Sequence, residues 1–168
     1  MLSKKQFELE VEAGNIDTVV VAFCDIAGRL MGKRIPASTY LEHHADGQPV
    51  HACNYLLAAD IELEPLPGFE FASWDKGYGD MSLKPDPTSL RLLPWFEGSA
   101  LVLCDVQDQH GDLVPISPRS MLKKQIQACA EQDLTPRMAS ELEFFLFLGE
   151  VDDLRLRGFA DLDPTTDY

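Results

Sequence analysis

The stretch Ser140-Glu141-Leu142-Glu143-Phe144-Phe145-Leu146-Phe147-Leu148 sets two acids inside an otherwise apolar, aromatic-rich run, and it constrains the fold more than any other. Its composition favours a strand. Side chains on a strand alternate faces, so Glu141, Glu143, Phe145 and Phe147 would share one face, and Leu142, Phe144, Leu146 and Leu148 the other. Two residues along a strand span roughly 6.7 Å, so the carboxylates would be neighbours beside phenyl rings, losing water and repelling each other. A divalent cation with oxygen ligands offsets both effects, and such sites serve phosphoryl transfer. The same spacing also fits an edge strand whose acids face water.

At 168 residues the chain can bury about 70% of its unfolded surface, enough for one domain or for a small domain plus part of another. Hydrophobic residues at 45% and charged residues at 25% fit a soluble globular protein and argue against disorder. A formal net charge of −14 opposes binding to nucleic acid or to an anionic membrane, since either polyanion is repelled. Cys24, Cys53, Cys104 and Cys129 form no Cys-x-x-Cys pair, so buried free thiols are expected rather than a zinc or redox site. Phe7-Glu8-Leu9-Glu10 is too charged for a signal-peptide core and no long apolar run spans a bilayer, so a cytoplasmic protein is expected.

Along the chain, Ser3 and Gln6 predict a capping box, with Gly14-Asn15 ending the helix. The β-branched run 17–24, a turn at 25–28 and the run 30–36 predict a hairpin. Ser38 is expected to cap a helix over 38–44, with His43 and His44 on its surface. The stretch 62–95 is dense in Pro, Gly and Asp and reads as a long loop, whose aromatics Phe69, Phe71, Trp74 and Tyr78 must pack on their own domain or on a partner subunit. A second hairpin is expected from the strand 99–106 and the run 113–116. Ser117-Pro118 then starts a helix with Leu122, Ile126, Cys129 and Ala130 on one apolar face. The acidic end 161–168 imitates a calcium loop poorly, because Thr166 stands where Gly is required.

The run Met138-Ala139-Ser140-Glu141-Leu142-Glu143-Phe144-Phe145-Leu146-Phe147 resembles the Glu-x-Glu-Phe-Phe-Leu-Phe strand of the glutamine synthetase family. Asp25-Ile26-Ala27-Gly28-Arg29-Leu30-Met31-Gly32-Lys33 is similar to the hairpin of that family's N-terminal β-grasp domain. Gly79-Asp80-Met81-Ser82-Leu83-Lys84-Pro85-Asp86 and Leu90-Arg91-Leu92-Leu93-Pro94-Trp95 resemble its following segments, and Pro118-Arg119-Ser120-Met121-Leu122 the first helix of its catalytic domain. Pieces that are weak alone make a specific signal in this order.

The resemblance implies an α+β chain: a β-grasp N-terminal domain over 1–115, then an incomplete 116–168 carrying the first helix and strand of a glutamine synthetase-type catalytic domain. It implies the front portion of an ATP-dependent carbon–nitrogen ligase that joins an amine to glutamate through a γ-glutamyl phosphate, with Mg²⁺ or Mn²⁺ as cofactor and ATP as co-substrate. Glu141 and Glu143 would be metal ligands. Ammonia-using members carry an Asp-Gly-Ser-Ser loop that a neighbouring subunit uses at the ammonium site. Asp75 stands nearest to that loop but lacks the serines, which turns the expectation toward an organic amine and the γ-glutamylpolyamine synthetase-like branch. Glutamine synthetase proper, using ammonia, and a non-catalytic relative kept for assembly are the alternatives. Homo-oligomers with sites between subunits are implied. The remaining metal ligands, the ATP site and the phosphate-binding arginines are expected beyond residue 168, so the chain alone is expected not to turn over.

Overall fold

Ser3 does cap the first helix, α1 (Lys4–Glu12): its hydroxyl accepts from the Gln6 N–H, and the Gln6 side chain accepts from the Ser3 N–H. In this computed structural model, which describes residues 1–75 and 77–166, α1 buries Phe7 against the sheet that follows. Lys76, Asp167 and Tyr168, and with them the end of the acidic stretch 161–168, lie outside the described residues.

The predicted hairpin forms as β1 (Thr18–Cys24) and β2 (Leu30–Pro36), paired antiparallel from Thr18↔Pro36 to Cys24↔Leu30. Alternation decides what each face meets, so Val19, Val21 and Phe23 enter the main core while Val20 and Ala22 face the other way, towards Leu93 and Leu101. Opposite Ala22 sits Gly32, where an added Cβ would lie 2.0 Å from the Val21 carbonyl oxygen, so no larger residue fits without moving the ladder. The cap of the next helix, α2 (Ala37–His43), falls two residues early: Pro36, not Ser38, holds the cap position, and no side chain caps it. Tyr40 on α2 is buried edge-on to Phe7, 5.7 Å between ring centres, and burial pushes its phenol up to about 12.

Four more strands complete the sheet: β3 (Val50–Cys53), β4 (Asp80–Pro85), β5 (Arg91–Leu92) and β6 (Ser99–Gln107). The order is β2-β1-β6-β4-β3, with β5 also beside β6. β6 runs parallel to β1, from Thr18↔Ser99 to Ala22↔Leu103, and every other pairing is antiparallel. The Val19 and Val102 strands therefore share one sheet, as their Val-rich composition suggests. The stretch 62–95 is not the continuous loop expected of it. Met81 and Leu83 are buried and alternate with Ser82 and Lys84, a period-two signal hidden by the flanking Gly79, Asp80 and Pro85.

The second hairpin is a correction. Between β6 and the run 113–116 a single bridge, Gln107↔Leu113, forms among the described residues, and the Asp108 carboxylate accepts from the His110 and Asp112 N–H groups and closes a tight turn. Val114 donates back to Val106, and Pro115 has no N–H with which to continue. The helix α3 (Pro118–Ala130) begins where Ser117-Pro118 placed it, yet the Ser117 hydroxyl makes no cap bond. Its apolar face is half open, with Leu122 46% and Ile126 45% exposed. Charge ties α3 to the sheet: Arg119 Nε donates to Asp105 at 2.9 Å, its Nη2 pairs with Asp86, and Lys123 also reaches Asp105.

The chain divides into two compact units, 1–135 and 136–168, so α3 is counted with the first. In the second, β7 (Phe147–Leu148) pairs with β8 (Asp163–Pro164), and α4 (Val151–Leu156) lies between them in sequence. The strand expected over 138–148 is thus reduced to its last two residues. A strand needs a partner, and the segment 138–146 has no ladder on either side among the described residues. The whole is a mixed helix-and-strand chain with a sheet-based domain. No helix among the described residues is long and apolar enough to cross a membrane.

Candidate functional site

Glu141 and Glu143 lie in the segment before β7, which has no strand partner among the described residues; both are exposed, among side chains that are exposed as well: Leu142 at 86% and Phe145 at 81%. Without a ladder, nothing enforces the face-sharing that period two would impose. As a donor set, two carboxylates with hard oxygens and no ion pair among the described residues fit a hard divalent cation, though they supply only part of a shell of about six oxygens. Among the described residues no group of three or more His, Cys, Asp or Glu is arranged to hold a metal.

Asp75 belongs to the first unit and sits on the wall of a cavity of about 450 Å³. Trp74, Tyr78 and Glu64 share that wall. Trp74, read as a packing residue, is 84% exposed. Its ring stands 5.6 Å from that of Tyr78 at 45°, and Tyr55 meets Tyr78 edge-on at 5.7 Å. Opposite, the Asp60 carboxylate accepts from the Glu62 and Glu64 N–H groups at 2.9 and 3.0 Å, and Leu66 donates to the Ala58 carbonyl at 3.0 Å. These bonds, with Pro65 and Pro67, make the Glu64 wall stiff.

Asp25 is a residue whose importance sequence reasoning passed over. It is fully buried at the β1–β2 turn, where one carboxylate oxygen accepts from the Ala27 and Arg29 N–H groups at 3.0 and 2.8 Å. The other accepts from Arg29 Nε at 2.7 Å, and Arg29 Nη2 donates to the Ala59 carbonyl at 3.2 Å. The turn is thereby latched to the base of the Glu64 wall. The signal was present in Asp25-Ile26-Ala27-Gly28, since Asp bonds its own backbone two residues on, and Gly28 takes the φ of 85° that closes the turn.

All four thiols are free, and burial pushes Cys104 up to about 12 and raises Cys24, with a neighbouring aspartate adding to each. Cys104 is fully buried as expected, while Cys24, Cys53 and Cys129 are only partly so.

No family model matches the chain. It is 38% identical over 171 residues to γ-glutamylethanolamide synthetase GlnA4 of Streptomyces coelicolor, covering 99% of this chain and 36% of that protein. To a glutamate–isopropylamine ligase of a Pseudomonas species it is 34% identical, over 92% of this chain and 33% of that protein. A glutamine synthetase of Halobacterium salinarum is 32% identical over 86% of the chain and 29% of its own length. Among solved structures, the GmaS/ADP complex aligns with a TM-score of 0.54 at 25% identity, over 76% of this chain and 26% of that one. The chain spans about a third of the length of the curated relatives it matches.

Proposed function

The chain belongs to the glutamine synthetase family, and from that premise we propose that it forms part of an ATP-dependent ligase joining an organic amine to glutamate. One observation carries the reading: the chain is 38% and 34% identical, over 99% and 92% of its length, to relatives whose names specify ethanolamine and isopropylamine products or substrates. The γ-carboxylate oxygen of glutamate attacks the terminal phosphorus of ATP and ADP departs. The amine nitrogen then attacks the acyl carbon of γ-glutamyl phosphate, phosphate leaves, and the nitrogen gives up a proton.

Glu141 and Glu143 would hold Mg²⁺ or Mn²⁺, which when bound neutralises charge on the transferring phosphoryl group. Asp75 would meet the amine. The β-grasp description is our reading of the sheet, in which the hairpin β1–β2 lies at one edge and β1 pairs parallel with the central β6. Residues 1–115 would form that domain and 116–168 the start of a catalytic one. Assembly as a homo-oligomer with sites between neighbours is in keeping with an exposed Trp74 beside Asp75.

The test is phosphate release with ATP, glutamate and a panel of amines, using the protein at the length of its relatives, with the 168-residue chain assayed beside it. Turnover with an organic amine above that with ammonium is expected, and none from the short chain. Ammonium proving the best substrate would make the protein a glutamine synthetase proper, and no turnover with any amine would make it a non-catalytic relative. Amine-dependent turnover by the short chain would show that the essential groups lie within these residues.

A further inference from the structure

We infer that Asn54, Asp80 and Asp108, which meet at the end of the sheet where β3, β4 and β6 lie side by side, bind a calcium ion through Asn54 Oδ1 and the two carboxylates. The site belongs to the first unit, uses neither Glu141 nor Glu143, and does not depend on the ligase reading.

Asn54 carries the inference. Only 9% of it is exposed, and its Oδ1 is buried with no hydrogen-bond donor among the described residues. Its Nδ2 donates to the Phe71 carbonyl at 3.4 Å, and a carbonyl only accepts, so turning the amide round would not satisfy the oxygen. A buried oxygen in this position is answered by water or by an ion. Here Asn54 lines a cavity of about 190 Å³ together with Asp80 and Asp108, and two carboxylates beside it select the ion.

Neither acid is ion-paired among the described residues, whereas Asp25, Asp46, Asp86 and Asp105 are all taken by arginine or lysine. The Asp112 and His110 N–H groups donate to one oxygen of Asp108 at 3.0 and 2.8 Å, which fixes that carboxylate and holds it below its usual range. Backbone pairing brings the three residues together. Cys53 pairs with Asp80, the Asn54 N–H donates to the Gly79 carbonyl at 2.9 Å, and Ser82 pairs with Gln107, so the 108–112 turn begins beside the start of β4. These bonds exist without the ion, and little ordering remains for it to impose.

The donors choose among cations. An amide oxygen and two carboxylates are hard ligands, and Ca²⁺ takes about 6–8 oxygens in flexible geometry, with water completing the shell. At roughly 30 Å³ per water, the cavity of about 190 Å³ holds the ion and several waters. Mg²⁺ demands a near-ideal octahedron and gives up its water reluctantly. His110 lines the same cavity, but among the described residues no three of His, Cys, Asp or Glu are arranged around one metal, which disfavours Zn²⁺.

The experiment titrates the ¹³C,¹⁵N-labelled 168-residue chain with CaCl₂, MgCl₂ and ZnCl₂ at constant ionic strength. The Asn54 side-chain ¹³Cγ and the Asp80 and Gly111 amides report, and the β1 amides show that the chain is folded. Ca²⁺ should shift all three reporters on one saturable curve with a Kd on the order of 10⁻⁴–10⁻³ M, and Mg²⁺ should bind at least about ten-fold more weakly. Asp80→Asn, and separately Asp108→Asn, which keeps the oxygen that holds the turn, should each weaken Ca²⁺ about ten-fold; either variant decides the matter should the other not fold. The pair Glu141→Gln with Glu143→Gln should leave the curve in place.

An Asn54 ¹³Cγ that stays put while the two amides move would reduce the site to surface acids, with water as the partner of Oδ1. Equal response to Mg²⁺ would reduce it to counterion binding, and tighter binding of Zn²⁺ with a shift of the His110 ring would make it an imidazole site. Each of these overturns the inference, as does a Ca²⁺ response that is non-saturable or unchanged in the Asp80 and Asp108 variants.

Discussion

Replacing Asp25 with Ala should cost far more than a place in a hairpin turn would suggest. The carboxylate accepts two backbone N–H bonds at 3.0 and 2.8 Å and a third from Arg29 Nε at 2.7 Å, and it is wholly buried. Hydrogen bonds to a charged group contribute about 1.5–3 kcal/mol each, and the variant leaves both backbone donors without an acceptor. Because the Arg29 side chain is 27% exposed, its ion pair adds at most about 1 kcal/mol. The loss should be about 4 kcal/mol, a large share of the roughly 5–15 kcal/mol typical of a domain, with a fall in Tm on the order of 10 °C. Urea unfolding followed by circular dichroism measures it. Asp25→Asn should cost about half as much, since its carbonyl oxygen keeps the two backbone bonds while its amide nitrogen meets Arg29 donor against donor. A loss under about 1 kcal/mol for the Ala variant, or equal losses for Ala and Asn, would refute the assignment of the turn's stability to these bonds.

Gly32→Ala should destabilise by about 2–3 kcal/mol in the same assay, because the new Cβ lies 2.0 Å from the Val21 carbonyl oxygen; a neutral result would mean that β2 shifts freely along β1. Burial works against the charge of Asp86, but Thr88 and the positive charges of Arg119 and Lys123 outweigh it and hold the carboxyl below its usual range. A depressed folded value contributes stability above the unfolded value of about 4, lost as pH falls through the lower folded value. Asp86→Asn should therefore flatten the acid limb of the stability profile below about pH 4, and an unchanged limb would deny the α3 clamp that role. Mn²⁺ should broaden the amides of 140–144, and the double variant Glu141→Gln with Glu143→Gln should abolish this; broadening that persists in the variant would place the ion elsewhere.

Three local signals read correctly, although the Ser38 cap, equally local, did not form. The Ser3–Gln6 box, the 25–28 turn and the Pro118 start each depend on residues within four positions of one another, so the sequence carries the whole cause. β4 escaped notice because its alternation of Met81 and Leu83 with polar residues is short and flanked by Gly and Pro, and only its neighbours β3 and β6 make it a strand. The pocket beside Asp75 was half legible: Trp74, Asp75 and Tyr78 stand together in the chain, whereas Glu64 joins them only through the Asp60 turn and the Ala59↔Pro65 bridge.

Composition and pattern by themselves determined that this chain is acidic and globular, opens with a capped helix and a hairpin, and carries a Glu-x-Glu motif in an apolar run. Tertiary structure alone decided which of those patterns become elements. The Val19 strand finds β2 and β6 and is paired on both sides, but the aromatic-rich run at 140–148 finds a partner among the described residues only at Phe147 and Leu148. Strand propensity is the capacity of a segment to fit a half-buried sheet, and a sheet is a property of several segments at once. A helix closes its hydrogen bonds within itself, so α1 could be read from its own residues; a strand cannot, and its fate lies with residues far along the chain.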